Sequence, residues 1–138
     1  MAGYSGTPLV QKLGIKEGHK LLILNPPPRY KETLGKLPPN SVLVRSLNGS
    51  LDFVQFFTKS KSELELSFSA LMKAITPNGM IWISWPKGAS GVKTDLNETI
   101  VREIGLKNGM VDVKVCAVDE IWSGLKFVFR LKDRPKKN

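Results

Sequence analysis

The spacing of apolar side chains changes period several times along the chain, and each change predicts an element. Leu21–Leu24 is a continuous apolar run closed by Asn25. It reads as a strand buried on both faces, as in a parallel sheet. Ahead of it, Thr7-Pro8-Leu9 predicts a helix start with threonine as N-cap and proline at the first helical position. Gly14 predicts its end, with Ile15 packing behind. After the strand, Pro26-Pro27-Pro28 prevents a helix from starting tightly. Tyr30, Leu34 and Leu37 stand at i, i+4 and i+7 and predict a short helix over Arg29–Leu37, stopped by Pro38-Pro39-Asn40.

Val42–Arg45 predicts a short strand, Asn48-Gly49 a turn, and Asp52–Thr58 a further strand. Ser62 to Ile75 has the strongest helical pattern. Leu64, Phe68, Leu71, Met72 and Ile75 fall on one face, and Ser62 with Glu65 forms a capping box. Thr76–Gly79 predicts a turn and Met80–Trp85 an apolar strand, followed by a loop over Pro86–Lys93. Thr94 or Asp95 is expected to cap the next helix, with Leu96, Ile100 and Ile104 on its buried face and Gly105 and Asn108-Gly109 at its end. The last two strands alternate. Val111, Val113, Val115 and Ala117 share one face, with Cys116 on the other; Leu125, Phe127, Phe129 and Leu131 repeat the pattern. Such alternation fits an antiparallel pair joined by a hairpin loop over Asp119–Gly124.

This order predicts an α/β fold: a three-layer Rossmann-like sandwich, mostly parallel, with a C-terminal antiparallel hairpin. One domain over residues 1–131 and a basic tail over 132–138 account for the chain.

Composition sharpens the picture through charge. Lys and Arg number 21 against 12 acids, a net charge of +9. Residues 126–138 carry six basic and one acidic side chain, and residues 12–36 six basic and two acidic. An anionic small molecule, an acidic partner or nucleic acid is the partner class this favours. Cys116 is the single cysteine, so neither an internal disulfide nor a cysteine metal cluster is expected. No apolar run has the length of a signal sequence or a membrane span, and a cytoplasmic protein is expected.

Two resemblances enter here. Pro77-Asn78-Gly79, the strand Met80–Trp85, the following helix and the final hairpin resemble the ending of the class I methyltransferase fold. Met1–Leu9, Ser84–Lys87, Thr94-Asp95-Leu96, Val113–Asp119 and Trp122–Lys126 resemble an uncharacterised bacterial family of unknown function, over nearly the whole chain. The methyltransferase likeness implies an S-adenosylmethionine site resembling Asp/Glu-x-Gly-x-Gly-x-Gly after the first strand, and an acid at the end of the second. Here Asn25-Pro26-Pro27-Pro28-Arg29 replaces the glycines and Arg45 the acid. Only one strand, Val42–Arg45, stands where that fold has two. A truncated scaffold that takes no cofactor is therefore expected.

With parallel strands, Arg29, Arg45, Lys59, Lys61 and Lys87 fall at the C-terminal edge of the sheet, where ligands bind in open α/β sheets. Together with Trp85 as a stacking ring, they form a candidate anion-binding site. Trp122 and Lys126 form a candidate partner-binding knob. Catalytic signals are weak. His19 reads as a loop residue, Asp119 and Glu120 point apart, and Lys87–Gly91 is no phosphate loop. The reading is a non-catalytic binding or regulatory module for an anionic ligand or partner. The alternatives are a diverged transferase for a nucleotide-like substrate and a weak nucleic-acid binder through the basic tail.

Overall fold

The computed structural model describes residues 6–47 and 49–134. Asn48 of the expected turn, Met1–Ser5 of the opening segment and residues 135–138 of the tail lie outside them. The elements run α1 (Leu9–Leu13), β1 (Lys20–Leu24), α2 (Tyr30–Leu34), β2 (Val42–Leu43), β3 (Leu51–Phe57), α3 (Lys61–Ala74), β4 (Ile75–Pro86), α4 (Glu98–Lys107), β5 (Met110–Ala117) and β6 (Trp122–Phe129). The six strands form one sheet in the order β2-β1-β3-β4-β6-β5. The first four strands pair parallel, and β6 pairs antiparallel with both β4 and β5.

Alternate residues of the central strands feed two cores. On one face Leu22, Val54, Ile81 and Ile83 meet Leu64 and Phe68 of α3 and Val101 and Ile104 of α4. On the other, Leu21, Phe53 and Trp82 meet Leu9 and Leu13 of α1 and Tyr30 and Leu34 of α2. The three layers follow directly from continuous apolar runs in strands that must be covered twice.

Several boundaries differ from the sequence pattern. Pro8, not Thr7, is the N-cap of α1; Gly14 closes that helix in the left-handed region, and Ile15 is buried behind it. The N-cap of α3 is Ser60, whose hydroxyl accepts from the Glu63 amide at 3.2 Å. Ser60-x-x-Glu63 fits the pattern as well as Ser62-x-x-Glu65, and placing Leu64 in the first buried turn selects the earlier cap; only its serine half forms, because the Ser60 amide and the Glu63 carboxylate both turn to the Thr58 hydroxyl. The cap of α4 is Asn97, whose Oδ1 accepts from the Ile100 amide at 2.9 Å. Thr94 and Asp95 serve α3 instead. The Thr94 hydroxyl donates to the Lys59 carbonyl at 2.6 Å, and Asp95 Oδ1 accepts the Lys61 amide at 2.7 Å.

Gly105 lies inside α4 rather than ending it. An added Cβ there would stand 2.0 Å from the Phe127 ring, so glycine sets how closely α4 approaches β6. Thr76–Gly79 do not form a turn between α3 and β4, which begins at Ile75 directly after the helix. Ile75 pairs with Leu51 and Met80 with Phe53, so the expected turn becomes a bulge within the strand. In β5, a second irregularity between Asp112 and Lys114 breaks the alternation. Val111 pairs with Val128 and Cys116 with Gly124, while Val115 pairs with Leu125 of the opposite core. Cys116 therefore packs on the α1/α2 side beside Val128, and the single face expected for Val111, Val113 and Val115 does not form. Finally, Trp122 begins β6 opposite Pro86, leaving only Val118–Ile121 for the hairpin loop.

Candidate functional site

Two crevices open at the C-terminal end of the parallel strands. The helices α2 and α3 leave β1 and β3 on opposite faces of the sheet, so the gap between these strand ends is the topological switch point. A crevice of about 540 Å³ lies there, walled by Pro26, Pro28, Thr58, Lys59, Glu63 and Trp122. Its floor is rigid. The Thr58 hydroxyl donates to the Glu63 carboxylate and accepts from the Ser60 amide at 3.2 Å. Asn25 Nδ2 donates to the Phe57 carbonyl at 3.3 Å, tying the proline turn to β3.

The larger crevice, about 1000 Å³, lies beside β1 and β2. Its apolar wall includes Leu22, Leu24, Leu37 and Val44, and its rim carries Arg29, Lys31, Glu32 and Arg45. The reason it stays open is local. The strand β2 has only two residues, and the described part of the connection from β2 to β3 contains no helix to cover Leu24 and Val44. Arg29 is the N-cap of α2 and sits at φ 63°, in the left-handed region, while Arg45 leaves the end of β2; both are exposed.

The remaining predicted residues are dispersed. Lys59 borders the smaller crevice, and Lys61 stands at the start of α3, exposed, outside both walls. Lys87 is committed to the hairpin. Its ammonium donates to the Asp119 carbonyl at 2.8 Å and its amide to the Ile121 carbonyl at 2.7 Å. Trp85 is 4% exposed in the α3/α4 core, and Trp122 is 7% exposed on the other side. Trp122 stacks edge-on against Phe57, with ring centroids 5.1 Å apart. Lys126 lies on the face of α1, away from that ring stack, with its amine near Gly14.

One buried feature carried no periodic signal. Tyr30 donates its hydroxyl to Gln55 Oε1 at 2.6 Å, and Gln55 Nε2 donates to Ser84 Oγ at 3.1 Å. Gln55 and Ser84 are fully buried. Burial pushes the Tyr30 phenol far above its ordinary value, which keeps it a donor. A lone glutamine inside the apolar Asp52–Thr58 run was the one available hint. Trp82 was equally silent; its indole N–H donates to the Leu13 carbonyl at 2.8 Å and pins α1 to the sheet. His19 Nδ1 accepts from the Lys16 amide at 3.1 Å within a turn.

Cys116 is half-buried, and burial raises its thiol despite Lys12 and Lys114 acting the other way. This is opposite to the tuning of a nucleophilic cysteine. Among the described residues, no group of three metal-ligating side chains occurs and no helix is long and apolar enough to cross a membrane.

Neither a protein-family profile nor a curated protein matches the sequence. Solved structures do match in fold. An S-adenosylmethionine-dependent methyltransferase from Aquifex aeolicus superposes with a TM-score of 0.61 at 15% identity, covering 86% of each chain. Magnesium protoporphyrin IX methyltransferase from Synechocystis, solved with bound S-adenosylmethionine, gives 0.56 at 13% identity over 88% of this chain and 74% of that one. A TehB-like methyltransferase from Corynebacterium glutamicum gives 0.54 at 10% identity over 88% and 85%. The chain thus has a class I methyltransferase-like, Rossmann-like fold, and at these identities the likeness is one of fold.

Proposed function

We propose that this protein is a non-catalytic binding or regulatory module, and that its ligand is an anionic small molecule with an apolar body. The observation carrying this reading is the convergence of Arg29 and Arg45, from two separate loops, on the rim of one apolar crevice. Apolar pockets with a few convergent polar groups are the usual form of a small-molecule site. Two guanidinium groups supply fork-like donors to a carboxylate or phosphate, and Lys31 adds a point charge against the single Glu32 carboxylate. Leu22, Leu24 and Val44 bury the ligand's apolar part.

S-adenosylmethionine fits this chain poorly. One of the similar structures was solved with it, and the class I resemblance implies that its site lies at the turn after the first strand. Pro26, Pro27 and Pro28 offer no backbone N–H to a ligand, and their rings stand where close backbone approach is needed. The Arg45 side chain, two residues past β2, offers no acceptor to a ribose hydroxyl. The module reading keeps the scaffold and moves the ligand toward the open flank of β1 and β2.

The test is calorimetric titration with an anionic naphthalene sulfonate dye and with its uncharged counterpart. The wild-type protein is expected to bind the anion at least tenfold more tightly, and Arg29→Glu with Arg45→Glu to abolish that preference. Unchanged preference in the double variant overturns the crevice. Micromolar binding of S-adenosylhomocysteine overturns the reading of the proline turn.

A further inference from the structure

A second cationic site lies on the opposite flank, independent of the crevice. Lys114 of β5 and Lys126 of β6 stand directly opposite each other across the antiparallel pair, on the α1/α2 face. Like charges in that register repel and destabilise a sheet. The neighbourhood adds to the repulsion. Lys114 donates to the Lys12 carbonyl at 2.7 Å, which brings α1 and its own Lys12 alongside. The Lys126 amine lies 3.5 Å from the position a Cβ on Gly14 would occupy. Lys126 is half-buried, and its ammonium is disfavoured first by burial and then by Lys114 and Lys16. The ion pairs among the described residues join Arg102 to Glu98 and Asp112, on the other side of the sheet, so no carboxylate is salt-bridged to these four lysines.

An ordinary solvated surface spreads its lysines apart or intersperses acids. Here four converge around the end of a helix, one of them partly withdrawn from water. The nearby rings do not suit base stacking. Trp82 and Phe57 are buried beneath this face, so a nucleic-acid strand finds phosphate contacts but no stacking platform. Lysine also supplies point charges rather than flat forks, which suits a compact anion of high charge.

We infer that Lys12, Lys16, Lys114 and Lys126 form a binding site for a compact, multiply charged phosphate anion of the oligophosphate class. The anion removes the repulsion between Lys114 and Lys126 and joins α1 to the final hairpin. Lys114 uses one of its three donors on the Lys12 carbonyl, which leaves two for the anion.

Titration of the full chain with inorganic tripolyphosphate, followed by calorimetry and thermal unfolding, tests the site. One anion per chain is expected, with a rise in Tm. Lys114→Gln with Lys126→Met is expected to weaken binding at least tenfold while leaving the unliganded protein as stable as wild type or more so. A control pair, Lys73→Gln with Lys107→Gln, is expected to change affinity less than twofold. Lys16→Gln alone is expected to weaken binding severalfold and serves if the double variant fails to fold. Equal losses in the control pair, or binding that Lys16→Gln and the Lys114/Lys126 variant leave intact, overturn the site. Tighter binding of a single-stranded oligonucleotide at equal charge also overturns it, in favour of an extended polyanion surface. Arg29→Glu with Arg45→Glu should retain tripolyphosphate, which separates failure here from failure of the crevice.

Discussion

Tyr30 shows how a single polar side chain can join a helix to the middle of a sheet. Its hydroxyl satisfies Gln55, and Gln55 satisfies Ser84, in a region where an unpaired group is expensive. Tyr30→Phe keeps the edge-on ring contact with Phe57 but strands the Gln55 oxygen. A loss of about 1–3 kcal/mol is expected for such a buried orphan, measured by denaturant unfolding. Arg29 shows the converse. It holds φ 63° without being glycine, a conformation that disfavours L-residues by roughly 1–2 kcal/mol. Arg29→Gly relieves that strain and returns part of it as unfolded-chain entropy. Stability is therefore expected to hold or rise, while affinity for the anionic dye falls. Loss of both together would mean that Arg29 serves the fold alone.

Elements here are defined by which groups satisfy their ends. The N-terminus of α3 receives Ser60 from its own sequence and Asp95 from a loop far along the chain. Ser60→Ala is expected to cost about 1 kcal/mol, as N-cap removals do. Ser62→Ala, at the second helical residue, removes only an exposed hydroxyl contact with Ser60 at 3.0 Å and should change stability by less than about 0.5 kcal/mol. The reverse order in equilibrium unfolding would restore Ser62 as the cap. Helix existence was legible from the spacing of Leu64, Phe68 and Leu71. The choice between two adjacent Ser-x-x-Glu boxes was not, since both satisfy the local pattern and only the docking of Leu64 separates them. In β5, the valine alternation was real in sequence, but the irregularity before Lys114 reversed which valines face which core.

Across the molecule, two groups of cations among the described residues lie at opposite flanks of the sheet, Arg29 with Arg45 beside β2 and Lys114 with Lys126 on β5 and β6. One consequence is a pH dependence. Lys126 has a folded pKa below its unfolded value, chiefly from burial and then from Lys114 and Lys16. Between those two values the unfolded chain binds more protons, so stability rises with pH there. The destabilisation is fully present at neutral pH and is relieved as pH climbs through the folded pKa toward the ordinary lysine value. Tyr30 and Cys116, both raised, act in the opposite direction at alkaline pH. The Lys126 contribution is therefore read as a difference. The stability gap between Lys126→Met and wild type should narrow as pH rises, measured by denaturant unfolding at matched ionic strength. A gap constant with pH would show that Lys126 is not held against its charge.

The layers were legible from the order of residues alone. Continuous apolar runs require a sheet covered on both faces, and the late alternating strands require an antiparallel end, so the sandwich and its hairpin follow from period alone. That order also determined that three prolines replace backbone donors after β1, because that is a matter of covalent structure. Which cations meet depends on packing between distant segments. Arg29 and Arg45 share a rim because β2 is only two residues long and the described part of its exit lacks a helix, whereas Lys87 is spent on a hairpin carbonyl. Lys114 and Lys126 face each other because one irregularity shifts β5 by a residue. Register, docking and the burial of Trp85 and Trp122 depend on contacts far apart in the chain, and no local pattern encodes them.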